Sequence, residues 1–549
     1  METRKLVYVL TGVAVSLIVV IGGLVLLVSG GGGDDDGSSS DSSPTLPARQ
    51  QGELRVRGAD PITLDPACAS DADSASYIVE LFSGLVSFDK DLKLIPDIAD
   101  HWDVSDDGTV YTFHLRTTVL FADNSRRVTA DDFKYSMERS LNPDTQSTVG
   151  DVYLDDLAGA DDFIAGRADS VSGIKVLDPD TLELTIKAPD PVFLDKLTYP
   201  TSFVVDKNQV KDANCSDASW TFRANGTGPF KLANWDLGNQ IVLEPNPNYY
   251  LDPKPALSRV TFLISGGSSF TMYQNDEVDV TGVGKDNVDT VRDTTNPLNA
   301  EYHTTPSLSV SYIGFNVNKA PFDDPNVRKA LAMAIDKDFL ANNLYKQLLD
   351  PAGGIVPPDM PGYDSTVDPI KYDPTAAKTL LDSTGKANDL NGVKILTAGQ
   401  GAAPDDVLEA VTAMWQQNLG VSIEVEQEDF GLFLSDVDQG SFEMFSLGWV
   451  ADYPDAQNFL DLNFHTGNSN NKTGYSNSEV DQLLDQARTD IPEAQRNDLY
   501  HQAEQTIVDD EPWIPLFFAR SSYLVKPYVT GYDVPAFVIP TLRYVTVNK

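Results

Sequence analysis

An α/β or α+β fold of at least two domains is what this sequence predicts, and three observations predict it. At 549 residues the chain is longer than one hydrophobic core usually organises. Short alternating stretches and longer amphipathic ones are interleaved from about residue 52 onward, without a repeat of fixed period, which excludes a solenoid or propeller. Hydrophobic residues make up 41% and aromatics 9%, enough to fill packed cores.

The chain opens on Arg4-Lys5 and an uncharged run, 6–33, dominated by Leu, Val, Ile and Gly. About 20 helical residues span a bilayer core, whereas a secretory segment needs only about 7–15. The run is therefore expected to stay as an anchor (1–29), with cleavage near Val28-Ser29-Gly30 as the alternative. Basic residues before it and Asp34-Asp35-Asp36 after it put the remaining chain outside the cytoplasm. No cysteine lies in the run to take a lipid. Residues 30–51, rich in Gly, Asp, Ser and Pro, are expected to form a flexible tether.

From there the elements follow in order. Residues 52–57 suit a strand, 74–86 a helix, and 110–116 a half-buried strand of clean alternation. Thr129 can cap a helix over 130–141, with Asp131 and Asp132 well placed in its first turn. Residues 182–187 and 260–264 are further strands. Asp324-Pro325 opens a helix with Val327, Leu331, Ile335 and Phe339 along one face. Helices are also expected over 403–419, 478–488 and 492–508.

Residues 442–447 alternate bulky and smaller side chains, as a strand does, and Gly448 followed by Tyr453-Pro454 is expected to end it. The stretch Gly448-Trp449-Val450-Ala451-Asp452-Tyr453-Pro454-Asp455 would then deliver a tryptophan and a carboxylate together at a strand end, where open α/β sheets hold ligands. A core Trp beside a solvated turn Asp is the plainer alternative.

Catalytic patterns are scarce. The five histidines, His101, His114, His303, His465 and His501, show neither H-x-H nor H-E-x-x-H spacing for a metal. No G-x-S-x-G elbow, G-x-G-x-x-G or Walker motif occurs. A binding protein without cofactor or metal is expected rather than an enzyme. A formal net charge of -42, from 82 acidic against 40 basic residues, excludes nucleic acid and anionic lipid as partners and favours cationic or zwitterionic ligands. Two cysteines outside the cytoplasm, Cys68 and Cys215, suggest one disulfide, with two buried thiols as the alternative.

Together these segments resemble the extracytoplasmic solute-binding proteins of peptide ABC importers, the oligopeptide- and dipeptide-binding family 5. The resemblance runs from about Gly52 to Lys549. Its markers, in order, are Asp107-Gly108-Thr109-Val110-Tyr111-Thr112-Phe113-His114-Leu115-Arg116, Val128-Thr129-Ala130-Asp131-Asp132-Phe133, Gly226-Thr227-Gly228-Pro229-Phe230-Lys231-Leu232 and Leu243-Glu244-Pro245-Asn246-Pro247-Asn248-Tyr249-Tyr250. Gly314-Phe315-Asn316, Pro321-Phe322-Asp323-Asp324-Pro325, Ala334-Ile335-Asp336, the G-W-x-A-D-Y match at 448–453 and Trp513-Ile514-Pro515-Leu516 complete the series.

What the resemblance implies is a two-lobed, periplasmic-binding-protein-like α/β fold with the ligand cleft between the lobes. Lobe I would span 52–308, with an extra subdomain at about 89–205, and be completed by 521–549; lobe II would span 309–520. Asp452 matches the aspartate that pairs with a peptide's α-ammonium. Trp449 and Val450 match positions lining the first side-chain pocket, and Phe430 sits where a pocket aromatic is found. Asp71, Ala72 and Asp73 lie in the lobe I segment that would pair with the ligand backbone. The partners implied are a peptide and a membrane ABC permease, with the protein acting as a monomer.

Two positions depart from the pattern. Val437 and Ser446 stand where oligopeptide binders carry arginines that meet a ligand carboxylate. The family's cysteine pair would fall near Leu308 and Val450, not at Cys68 and Cys215. Alternatives are another solute in the same clamp, such as an oligosaccharide, nickel chelate, haem precursor or opine, or an anchored extracellular hydrolase or sensor.

Overall fold

In a computed structural model, which describes residues 49–549 apart from 218, 400–404 and 490, three principal sheets carry the molecule. The apolar run 6–33 and most of the tether stretch lie outside the described residues. Among the described residues no helix is long and apolar enough to cross a membrane. The end of the tether stretch is held rather than free: Arg49 pairs with Asp279 at 2.5 Å.

The first sheet orders Glu53–Arg57, Arg259–Leu263, Gln240–Pro245 and Phe230–Asp236, the first pair parallel and the others antiparallel. Glu53–Arg57 is buried along its whole length, so its apolar and charged side chains are both enclosed. Leu54 and Val56 fill one core, while Glu53 and Arg55 pair at 2.9 Å on the other side. Such burial is tolerable only because the charges satisfy each other.

The second sheet is antiparallel throughout, in the order Ala99–Val104, Val110–Leu115, Thr181–Thr185, Ile174–Asp178. Tyr111, Phe113, Leu115, Leu182 and Leu184 point inward onto Phe133 and Met137 of helix Ala130–Leu141. The alternate residues face solvent, as their period of two requires. Asp132 closes the start of that helix, accepting from the Thr129 amide and hydroxyl at 3.0 Å each.

The third sheet has seven strands. Its path runs Val280–Gly282, Trp513–Val525, Tyr302–Phe315, Met444–Val450, Lys394–Ala398, Glu424–Glu428, with Leu349–Pro351 also paired to Trp513–Val525. Helices Pro325–Met333, Pro374–Thr384 and Asp406–Leu419 cover it through Val327, Leu331, Leu381, Leu408 and the fully buried Trp415. Tyr302–Phe315 and Trp513–Val525 are unusually long, at 14 and 13 residues. Their pairing changes register between Pro306 and Val310, where Pro306 faces Arg520 and Val310 faces Phe518. On one side of that irregularity the pair borders Val280–Gly282; on the other it joins Met444–Val450.

Several expected boundaries moved, each for a local reason. The helix expected over 74–86 is Ala72–Leu81, because Val86–Phe88 pairs instead with Leu94–Pro96. The helix opened by Asp324 ends at Met333. Asp336 then accepts from the Phe339 amide at 2.9 Å and starts a new short turn, leaving Phe339 50% exposed rather than on the core face. Gly448 does not end its strand: it pairs with Ser311, and the strand continues to Val450.

One large apolar cluster spans the molecule. It joins Phe88, Val152, Tyr153 and Tyr199 to Phe433, Phe445, Tyr453, Phe459 and Phe464, and to Phe537 and Ile539 near the C-terminus.

Candidate functional site

Asp452 lies two residues beyond the end of strand Met444–Val450, where the chain turns into helix Gln457–Phe464. Asn458, wholly buried in the first turn of that helix, fixes the arrangement. Its Oδ1 accepts from the Trp449 indole and from the Asp452 amide, both at 3.1 Å, while its Nδ2 donates to Asp452 Oδ2 at 3.1 Å. One side chain thus orients both the aromatic and the carboxylate.

The same Oδ2 accepts from the Tyr153 hydroxyl at 2.5 Å, a contact across 299 residues of sequence. Tyr153 belongs to the short helix Gly150–Leu154 and lies face to face with Tyr199, centroids 3.7 Å apart and planes 11° apart. The Tyr199 hydroxyl donates to the Ala69 carbonyl at 3.0 Å, which carries the contact to the segment before Asp71.

Of Asp71, Ala72 and Asp73, only Asp71 is extended; the other two are already helical. Asp71 caps helix Ala72–Leu81, its Oδ1 accepting from the Ser74 amide at 2.8 Å, and Ala72 and Asp73 form the first turn. Asp71 Oδ2 is buried without a hydrogen-bond partner. Phe430 is the first residue of helix Phe430–Asp438; it, Trp449 and Val450 are half-buried against the cluster that contains Tyr153 and Tyr199. Val437 is enclosed in that cluster, and Ser446 pairs with Ile313 in the sheet.

The electrostatics are those of carboxylates short of a cation. Burial pushes Asp452 up to about 6, against the opposing hydrogen bonds from Tyr153 and Asn458. Asp73 is pushed up to about 7, by burial and then by the charge of Asp71; burial raises Asp71 as well. Tyr199 is raised by burial and then by the charges of Asp452 and Asp71, so it sits within reach of both. Among the described residues no basic side chain pairs with any of the three carboxylates. An enclosed, hydrogen-bonded acid with no counterion is suited to receiving an ammonium.

Sequence reading brought Asp452, Trp449, Val450 and Phe430 to one place but missed Tyr153, Tyr199 and Asn458. Asn458 stood in plain view six residues after Asp452. Nothing local marks either tyrosine. Cys68, three residues before Asp71, is joined to Cys215, with Cα atoms 5.5 Å apart.

Residues 93–471 match the model of the bacterial extracellular solute-binding proteins, family 5. The periplasmic oligopeptide-binding protein OppA of Salmonella typhimurium is 32% identical over 498 residues, covering 88% of this chain and 90% of the relative. The Escherichia coli murein tripeptide-binding protein MppA superposes with a TM-score of 0.82 at 27% identity, over 91% of this chain and 99% of that one. Against the unliganded open form of an MppA murein tripeptide-binding protein, at 27% identity over 91% and 98% of the chains, the score falls to 0.64.

Proposed function

The chain belongs to the bacterial extracellular solute-binding proteins of family 5, and from that premise we propose that it captures peptides outside the cytoplasm and hands them to a membrane ABC permease. Peptide recognition starts from the amino end. The observation that carries this reading is Asp452: half-buried, oriented by Asn458 and Tyr153, raised to about 6, and without a basic partner. A peptide's α-ammonium supplies the missing charge, with Trp449, Val450 and Phe430 as walls for the first side chain. Asp71, whose charge also reaches Tyr199, adds negative potential nearby, with Asp73 beside it. No arginine stands at Val437 or Ser446, so the carboxyl end contributes less.

The lobes are divided near the register change between Pro306 and Val310, so that 52–308 with 521–549 forms one and 309–520 the other. That irregularity in the two long strands supports it as the hinge. The protein acts as a monomer held at the membrane by its N-terminal run. The mass of the native protein reads the last two points: one intact copy agrees, and a chain that starts near Gly30 would refute the anchor.

Calorimetry with a free peptide and its N-acetylated twin tests the central claim. Loss of one partner from an enclosed ion pair costs about 3–5 kcal/mol, so acetylation should weaken binding by roughly two to three and a half decades. Equal affinity for both would sink the reading.

A further inference from the structure

The antiparallel sheet built on Ala99–Val104 and Val110–Leu115 shows solvent a face that the peptide reading does not use. A turn with Gly108 at φ +69° joins the two strands and sets their register. That register puts His101 opposite His114. Asp103, two residues further along the first strand, points to the same side. The two imidazoles stack with centroids 4.4 Å apart and planes 16° apart, and His114 Nε2 lies 3.1 Å from Asp103 Oδ2.

One ligating atom from each of the three residues lies within 4.8 Å of the others. Atoms around an ion with bonds of about 2.0–2.1 Å stand roughly 3.3 Å apart, so rotamer changes that turn the exposed His101 and Asp103 and the half-buried His114 toward one point close the set. Asp100 Oδ2 is 3.4 Å from His101 Nδ1, and Asp100 is itself held by Arg116 at 2.6 Å. A carboxylate behind a ligating imidazole, steadied in turn, is how proteins orient metal-binding histidines. Two of only five histidines in the chain meet here, in a molecule of net charge -42 whose field gathers cations.

We propose that His101, Asp103 and His114 bind a divalent first-row transition ion through two imidazoles and one carboxylate, leaving its other positions to water. The nitrogen ligands select zinc, nickel or copper over calcium and magnesium, which take oxygen. Spacing along the sequence cannot reveal this site, because strand pairing rather than a helical or loop motif assembles it.

The test is calorimetric titration of the full chain with Zn²⁺ in excess Mg²⁺, which occupies ordinary surface carboxylates. Wild type should show one saturable site. His101→Gln and His114→Gln should each weaken it more than the roughly 10–100-fold expected from losing a supporting partner. Asp103→Asn should weaken it as well, and the double histidine variant should abolish it. Peptide affinity should be the same in all of them, which also reports that each variant is folded. A wild-type titration indistinguishable from that of the double variant would overturn the proposal, as would a site that survives in the double variant.

Discussion

An ammonium brought to Asp452 meets a half-buried carboxylate, so the pair escapes much of the screening that weakens surface ion pairs. Asp452→Ala should therefore cost a free peptide about the same two to three and a half decades as acetylation does. The two losses should not add, because they remove one interaction. Additive losses in a four-way calorimetric cycle would mean that Asp452 and the amine act separately. At this scale the sequence was half legible. Asp452 and Trp449 announced themselves as a carboxylate and an aromatic at a strand end. Asn458, which holds both, reads as one more polar helix residue until its three hydrogen bonds are seen. Tyr153 could not be found, since 299 residues of sequence separate it from Asp452.

The disulfide between Cys68 and Cys215 works on elements. It ties the loop leading to helix Ala72–Leu81 to the segment after Val210, beside the buried pair of Arg139 and Asp65 at 2.6 Å. Cross-linking across a sequence separation of 147 lowers the entropy of the unfolded chain by an amount equivalent to roughly 5 kcal/mol at most. Cys68→Ser with Cys215→Ser should thus lower stability in guanidinium by up to about that much, and reductant should do the same to wild type. Two thiols open to alkylation in the folded, unreduced protein would show the bond absent. Element types were legible wherever the alternation was clean, as in Val110–Leu115, with inward and outward residues in strict turn. Element ends were less so. Gly448 looked like a stop but keeps its place in the ladder opposite Ser311, because pairing with a neighbour outweighs a glycine's weak preference against strands.

Across the whole molecule, the proposed clamp would enclose acids when it closes without ligand. Asp195 is pushed up to about 7 by burial and then by the charges of Asp455 and Asp190, against the pull of Arg496. Asp452 is pushed up to about 6 by burial, against the hydrogen bonds from Tyr153 and Asn458. Opened to water, such groups return toward about 4. The enclosed state therefore binds more protons, is favoured at low pH, and loses that advantage progressively as pH rises from about 4 to about 7. Each pH unit between the two values works against closure by up to about 1.4 kcal/mol per group. Small-angle scattering of the unliganded protein should give a radius of gyration that grows from pH 5 to 8, and saturating peptide should flatten the trend. Shrinkage with rising pH would contradict it. The overall architecture was legible only through the ordered series of motifs; length and periodicity alone fixed a multidomain α/β chain and no more.

The paired strands Tyr302–Phe315 and Trp513–Val525 carry one more consequence. Val310 and Phe518 are ladder neighbours, so the two hundred residues between them leave and rejoin the fold at almost the same point. A segment with adjacent ends is, in the grammar of genes, an insertion: it can be lengthened, exchanged or spliced into another protein without stretching what lies on either side. On the proposed division the chain is built like a sentence with a parenthesis, whose two parts should be able to diversify at different rates.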